Sequence, residues 1–311
     1  MTAAHVPKAT LYHFTGSVWS APALLTAIEK RYTDEELEKR IVDLSKGENF
    51  SPAFLRIAPS GHVPVLVVPY AHTVEDGIAT KFKAISGSTA VTDFLDQATV
   101  RSTTHPAPSL SPATVERAAR QKDLLELIHK EDIDPNLLLL CIRNAEEGRT
   151  KLGGMPGGFL KGRQEALLRY AKEVGDSDQR LKAFYEKKIA ENGGLLAMYE
   201  GKQDAADFYK KSTDLWTNIG KTVALLETKF EPGTVFLVGD QVSLADLHVG
   251  AWFVRILAVC GATSISDLAA SIKKLDEALG AGHQVGQKTT AWLEALTERE
   301  SFKEVYAEGL H

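Results

Sequence analysis

The sequence has little of what cross-links, anchors or coordinates. Two cysteines, Cys141 and Cys260, occur in 311 residues. They lie far apart in helix-like segments, which argues against a disulfide framework and suits a reducing cytosol. The nine histidines show no His-x-x-x-His or mixed Cys/His ligand spacing, so no metal site is expected. The longest purely apolar runs, such as residues 137–142, fall far short of the ~20 residues that span a bilayer. Residues 1–10 are polar and lack the apolar stretch of a secretory signal, so a cytoplasmic protein with no membrane partner is expected. In that setting the sequon Asn49-Phe50-Ser51 is a chance match. Basic and acidic residues, 36 and 41 in number, are interspersed and leave a net charge of −5. No Lys/Arg block stands out, which argues against a nucleic-acid partner. The glycine-rich stretch 153–158 is followed by no Gly-Lys-Ser/Thr, so it is not a phosphate loop. There is no Gly-x-Ser-x-Gly nucleophile elbow either.

What remains is an ordinary folded composition, 44% hydrophobic and 25% charged, in a chain long enough for two domains. Residues 9–14 read as a first strand, and Gly16-Ser17-Val18-Trp19-Ser20 as a turn. A helix over 21–31 follows, with Leu24, Leu25 and Ile28 on one side and Pro22 in its first turn. Strands are expected over 37–44, 63–68 and 81–85, a short helix over 51–57, a loop over 72–80, and a helix over 88–97. The order is βαβαββα. Residues 99–112 are rich in Ser, Thr and Pro and read as a linker. Helical spacing then dominates: 114–128, 136–147, 163–173 and 179–199, with Gly153 to Gly158 as a break. Over 208–230, Leu215, Ile219, Val223, Leu226 and Phe230 form a core-facing stripe. The fold class is therefore α/β followed by all-α, with domains at 1–98 and 113–311.

The sharpest local signal is Val242-Ser243-Leu244-Ala245-Asp246-Leu247. Ser243 can cap a helix while Asp246 reaches back to its N–H, with Val242 and Leu247 as the hydrophobic staple. The helix that follows is apolar nearly all round and is expected to be buried. His248 on that helix reads as a satisfied core histidine rather than a ligand.

Four segments together resemble the glutathione transferase superfamily. They are Leu11-Tyr12-His13-Phe14-Thr15-Gly16-Ser17, Pro59-Ser60-Gly61-His62-Val63-Pro64-Val65-Leu66, Gly87-Ser88-Thr89-Ala90-Val91, and the Ser243/Asp246 box. They occur in family order, and the details of Ser17-Val18-Trp19 and Asn49-Phe50-Ser51-Pro52 are most similar to fungal serine-type members. The resemblance implies a thioredoxin-like N-terminal domain that binds glutathione as co-substrate. It implies a C-terminal helical bundle that contributes a pocket for small hydrophobic molecules. It also implies a homodimer.

Residue by residue, the resemblance places the thiolate-stabilising hydroxyl at Ser17. A turn serine bonded to local backbone is the competing reading. Ser20, in an N-cap position, is the rival for the catalytic role. Trp19 either lines the site or packs under the helix. Val63-Pro64 matches the family's cis-proline, which would present the Val63 backbone to the peptide. Ser88 would hold the γ-glutamyl carboxylate at a helix N-terminus, with Gly87 where Glu or Gln is usual. His62 stands where a Gln contact is common, and Phe50 where many relatives carry a basic residue. With no cysteine at position 17, thiol–disulfide exchange is disfavoured. Conjugation of glutathione to hydrophobic electrophiles, of the kind used in detoxification, or glutathione-dependent ether cleavage is expected. A noncatalytic ligand-binding or scaffold protein on the same fold is the alternative.

Overall fold

A computed structural model describes residues 8–69, 82–98, 107–280 and 282–311. The loop expected over 72–80 and residues 99–106 of the expected linker lie outside the described residues. The first third of the chain runs β1 (Ala9–His13), α1 (Ala21–Glu29), β2 (Leu37–Ile41), α2 (Pro52–Ile57), β3 (Val65–Pro69), β4 (Phe82–Ser86) and α3 (Ser88–Gln97). Helices follow: α4 (Val115–Ile128), α5 (Pro135–Leu140), α6 (Ala145–Gly153), α7 (Met155–Val174), α8 (Gln179–Tyr199) and α9 (Ala206–Glu227). The last are α10 (Leu244–Val259), α11 (Leu268–Leu279), α12 (Gln287–Thr297) and α13 (Glu300–Val305). This is the expected βαβαββα order followed by helices. By packing, the chain forms two compact units, one of residues 1–41, 63–131 and 220–311 and the other of residues 42–62 and 132–219.

In the first unit the sheet order is β2-β1-β3-β4. β1 pairs parallel with β2 and antiparallel with β3, which pairs antiparallel with β4. This is a thioredoxin-like sheet. Leu11, Leu37 and Leu66 point from it into a core closed by Ala23, Leu24 and Ala27 of α1 and by Val91 and Leu95 of α3. Each fully buried leucine contributes roughly 1.5–3 kcal/mol. Beside this core, Lys30 Nζ lies 2.9 Å from Asp96 Oδ1 and 3.0 Å from the Pro108 carbonyl. The Asp96 carboxylate also accepts the Leu110 N–H at 2.9 Å. The end of α1 is thereby tied to the end of α3 and to the chain that leads into α4.

The capping box forms as read. Ser243 Oγ accepts the Asp246 N–H, and Asp246 Oδ2 accepts the Ser243 N–H at 2.8 Å. Asp246 is wholly buried and also accepts the Ser243 hydroxyl at 2.6 Å, the Leu237 N–H at 2.9 Å and the Trp292 indole N–H at 2.8 Å. Burial pushes its carboxyl up, and these four donors oppose that push. Every residue of α10 from Leu244 to Leu257 is buried, as its all-round apolar character requires. The stripe Leu215, Ile219, Val223, Leu226 and Phe230 is buried too.

The second unit holds α2 and α5–α8 with the first part of α9. One core joins Phe50 and Leu55 to Leu167 of α7 and to Leu181 and Tyr185 of α8. Another joins Ile142, Leu160 and Tyr199. The close approach of α7 to the turn at Leu44–Lys46 depends on Gly47. At its φ of +66° any side chain is strained, and a Cβ there would meet Ala166 Cβ at 2.5 Å.

Two expectations are corrected here. The single helix expected over 136–147 is two helices, α5 and α6. Cys141 turns extended, and Asn144 starts a new helix by accepting the Glu147 N–H at 2.9 Å. The Ile142 N–H is meanwhile taken by Ser212 Oγ at 3.1 Å. The break expected over 153–158 is confined to Gly154, an extended residue between α6 and α7. The glycines after it continue as helix. Among the described residues no helix is long and apolar enough to cross a membrane.

Candidate active site at the first strand-to-helix turn

The turn between β1 and α1 is built on its two serines. Ser17 N–H donates to the Phe14 carbonyl at 3.0 Å, and the Ser17 carbonyl accepts from Ser20 and Ala21 N–H at 3.0 and 3.1 Å. Ser17 Oγ also accepts the Ser20 N–H at 3.2 Å. The hydroxyl that caps the start of α1 is thus that of Ser17, although Ser20 holds the N-cap position and makes no side-chain cap. Ser20 is fully buried, and its Oγ accepts the Phe14 N–H at 3.4 Å. Ser17 is half-buried, and among the described residues its hydroxyl proton has no acceptor. One residue before it, the Gly16 carbonyl is held by Arg255 Nη2 at 2.7 Å from α10. Arg255 is only 5% exposed, so the turn is fixed from beneath by a buried guanidinium.

Trp19 is half-buried and packs against His129, ring centroids 4.1 Å apart and planes tilted by 31°. His129 Nε2 lies 3.0 Å from His248 Nδ1, and His248 Nε2 lies 3.1 Å from Thr92 Oγ1. Thr92 donates its hydroxyl proton to the Thr89 carbonyl at 3.0 Å, so it accepts from His248. This orders the chain: His129 Nε2–H donates to His248 Nδ1, and His248 Nε2–H donates to Thr92. Burial pushes His248 well below its usual range, helped by the neighbouring His129, and pushes the more open His129 down to about 4. Both imidazoles are neutral near pH 7. His248 is therefore a satisfied core histidine, as read. No sequence signal pointed to His129, which caps α4 about a hundred residues from the tryptophan it supports.

On the β3 side, Val63-Pro64 is a cis peptide. The Pro64 carbonyl accepts the Gly87 N–H at 3.4 Å. Ser88 opens α3 and is buried. Gly87 precedes it with φ +95° and ψ +139°, a conformation that side chains rarely adopt, although a Cβ there would meet nothing within 4 Å. Glycine at this position has a backbone reason. Ser17, Trp19, Val63, Pro64, Gly87 and Ser88 thus all belong to the first unit, while His62 and Phe50 belong to the second. There loss of water around the His62 ring pushes its pKa down, as do the charges of Lys188 and Arg163, against Asp134. Phe50 is a core residue whose carbonyl accepts the Tyr185 hydroxyl at 2.7 Å.

The chain has the fold of solved glutathione transferases and their relatives. It is similar to the beta-etherase LigF from Sphingobium sp. strain SYK-6, at 21% identity and a TM-score of 0.56, covering 97% of this chain and 99% of that one. It is similar to a glutathione S-transferase from Sinorhizobium meliloti, at 18% identity and TM-score 0.54, covering 98% and 94%. It is similar to Gtt2 from Saccharomyces cerevisiae, at 18% and 0.52, covering 95% and 99%. No family model matches the chain. No curated protein matches it either.

Proposed function

We propose that the chain is a serine-type glutathione transferase. The observation that carries this reading is the state of Ser17. Its oxygen lone pairs take the Ser20 N–H, which fixes the rotamer, and its proton stays available at the start of α1. A free thiol has pKa ~8.5. A hydroxyl proton donated to sulfur, together with the positive end of a helix, favours the thiolate. Ser17 would thus hold glutathione as its nucleophilic form. The alternative assignment, Ser20, is disfavoured because its hydroxyl is fully enclosed and engaged with Phe14.

In this reading the Val63 backbone pairs with the cysteinyl backbone of glutathione as an added strand. Ser88 and the first N–H groups of α3 take the γ-glutamyl carboxylate, with Gly87 supplying backbone only. Residues 1–98 form the glutathione-binding domain, 99–112 the linker, and 113–311 the helical domain that receives the hydrophobic partner, in a cytoplasmic homodimer. The thiolate forms a new carbon–sulfur bond while a carbon–halogen or carbon–oxygen bond breaks. The leaving group departs with the electron pair, protonated from solvent where it is an alkoxide. The likeness to a beta-etherase keeps ether cleavage beside conjugation.

A noncatalytic ligand carrier is the second reading, favoured by Phe50 and Gly87, which each remove a usual contact. A thiol-conjugation assay with wild type, Ser17→Ala and Ser20→Ala separates the possibilities. Turnover lost in Ser17→Ala and kept in Ser20→Ala is expected. Absence of both binding and turnover in wild type sinks the enzyme reading, and the reverse pattern of variants moves the role to Ser20.

A further inference from the structure

α10 is apolar almost throughout, yet it carries three titratable side chains, Asp246, His248 and Arg255. Asp246 serves the capping box. The other two are both buried and stand seven residues apart, two turns along one face of the helix. Both lead to the same short segment. Arg255 Nη2 holds the Gly16 carbonyl at 2.7 Å. His248 reaches Trp19 through His129, whose imidazole packs against the indole at 4.1 Å. In the chain Ser17 lies between these two anchored residues, and all of these groups belong to the first unit. Within the turn Val18 is fully buried, while Trp19 keeps part of its surface open.

A buried imidazole on an apolar helix needs both ring nitrogens satisfied. His248 has this, with Nδ1 3.0 Å from His129 Nε2 and Nε2 3.1 Å from Thr92 Oγ1. A leucine would fill the space with no such requirement, so packing alone does not call for histidine. What the histidine adds is direction. The outer torsion of a histidine side chain is broad and loosely set, and the bond to His248 fixes it in His129 at the end of α4. Thr92 gives its one hydroxyl proton to the Thr89 carbonyl, so the donors run one way, from the indole side to the first turn of α3. The plane of the His129 ring is thereby set, and the indole, tilted 31° from it, rests on a fixed surface. We infer that His129, His248 and Thr92 are positioning residues for Trp19, which they hold in the serine turn as a fixed aromatic wall for a flat electrophile. The inference rests on the glutathione reading of Ser17 and adds a substrate class to it: aromatic electrophiles rather than aliphatic ones.

Fluorine NMR of the full chain labelled with 5-fluorotryptophan tests the positioning without glutathione, the Trp19 signal being assigned by its loss in Trp19→Phe. His248→Leu fills the core and removes both bonds. His248→Asn keeps an acceptor in the place of Nδ1, and Thr92→Val removes the hydroxyl that receives His248. The Trp19 signal should shift or broaden in His248→Leu, do so less in Thr92→Val, and return toward wild type in His248→Asn. Conjugation of glutathione to 1-chloro-2,4-dinitrobenzene and to 1-iodobutane then reads the consequence. His248→Leu should raise KM for the aromatic electrophile three- to tenfold, with kcat, KM for glutathione and KM for iodobutane within twofold of wild type. His248→Asn should recover at least half of that loss. An unchanged Trp19 signal in His248→Leu overturns the inference, as does a shift that His248→Asn does not reduce, as does an equal change in KM for both electrophiles. Should His248→Leu fail to fold, Thr92→Val and the nitrogen-15 spectrum of the wild-type histidines decide, and a neutral His129 protonated on Nδ1 overturns the chain. Absence of turnover in wild type with the Trp19 pattern intact would sink the enzyme reading and its substrate class while the positioning of Trp19 stands.

Discussion

Arg255 Nη2 donates to the Gly16 carbonyl at 2.7 Å, across 239 residues of sequence. The bond couples α10 to the turn that presents Ser17. Replacing Arg255 with Met leaves that carbonyl without its charged donor, a loss of about 1–3 kcal/mol. Conjugation should fall, and the pH at which kcat/KM is half-maximal should rise as the Ser17 hydroxyl loses its fixed aim. Arg255→Lys should restore part of both. A pH profile identical to wild type, alongside lowered stability alone, would limit Arg255 to a structural role.

Gly87 is selected by backbone and not by space. Its φ of +95° strains any side chain, while a Cβ would touch nothing. Gly87→Ala is therefore expected to lose about 1–2 kcal/mol with no change in core packing. Urea unfolding of the variant measures this. An unchanged midpoint would mean that the loop before α3 relaxes without strain.

Asp246 holds four donors in a fully buried site. Asp246→Ala leaves them unpaired and should destabilise by about 3–5 kcal/mol. Asp246→Asn keeps the shape but turns one acceptor into a donor facing other donors, and should recover less than half of the loss. Denaturant midpoints of the two variants check this ranking, and equal stability of Asn and wild type would refute it.

The histidines whose charged form is disfavoured in the fold set an acid limit. Burial pushes His13 down to about 4 from 6.5, helped by the Lys39 charge, and His129 and His248 are lowered as well. Such groups take up protons more readily in the unfolded chain. Their contribution is complete above about 6.5 and is lost as pH falls toward 4. For His13 alone the loss is on the order of 3 kcal/mol. Urea midpoints measured from pH 7 to 4 should fall continuously across that window. A flat profile down to pH 5 would exclude this coupling.

What could be read from the sequence was what depends on neighbours along the chain. The Ser243/Asp246 box, the stripe from Leu215 to Phe230 and the bounds of α8 follow from local capping and periodicity, and all stand as read. The division of α5 from α6 did not, because it turns on Ser212, seventy residues away, taking the Ile142 N–H. The site shows the same limit. Ser17 was legible as a turn hydroxyl, yet its capping of Ser20 and its support by Arg255 depend on tertiary geometry. His129 carries no local pattern, since the partner that gives it meaning is Trp19. Residues 42–62, adjacent in sequence to β2 and β3, pack instead with helices that begin seventy residues later.

The spacing between Gly47 and Ala166 has a consequence for how this chain can vary. The two positions leave no room for one added methyl group, so the perch of α7 above the turn is set by two residues that touch no ligand. A larger residue at either would lift the helix and draw Leu167 away from the Phe50 core. The seam between α7 and the turn could then loosen through substitutions outside the first unit, with every residue of the serine turn left intact.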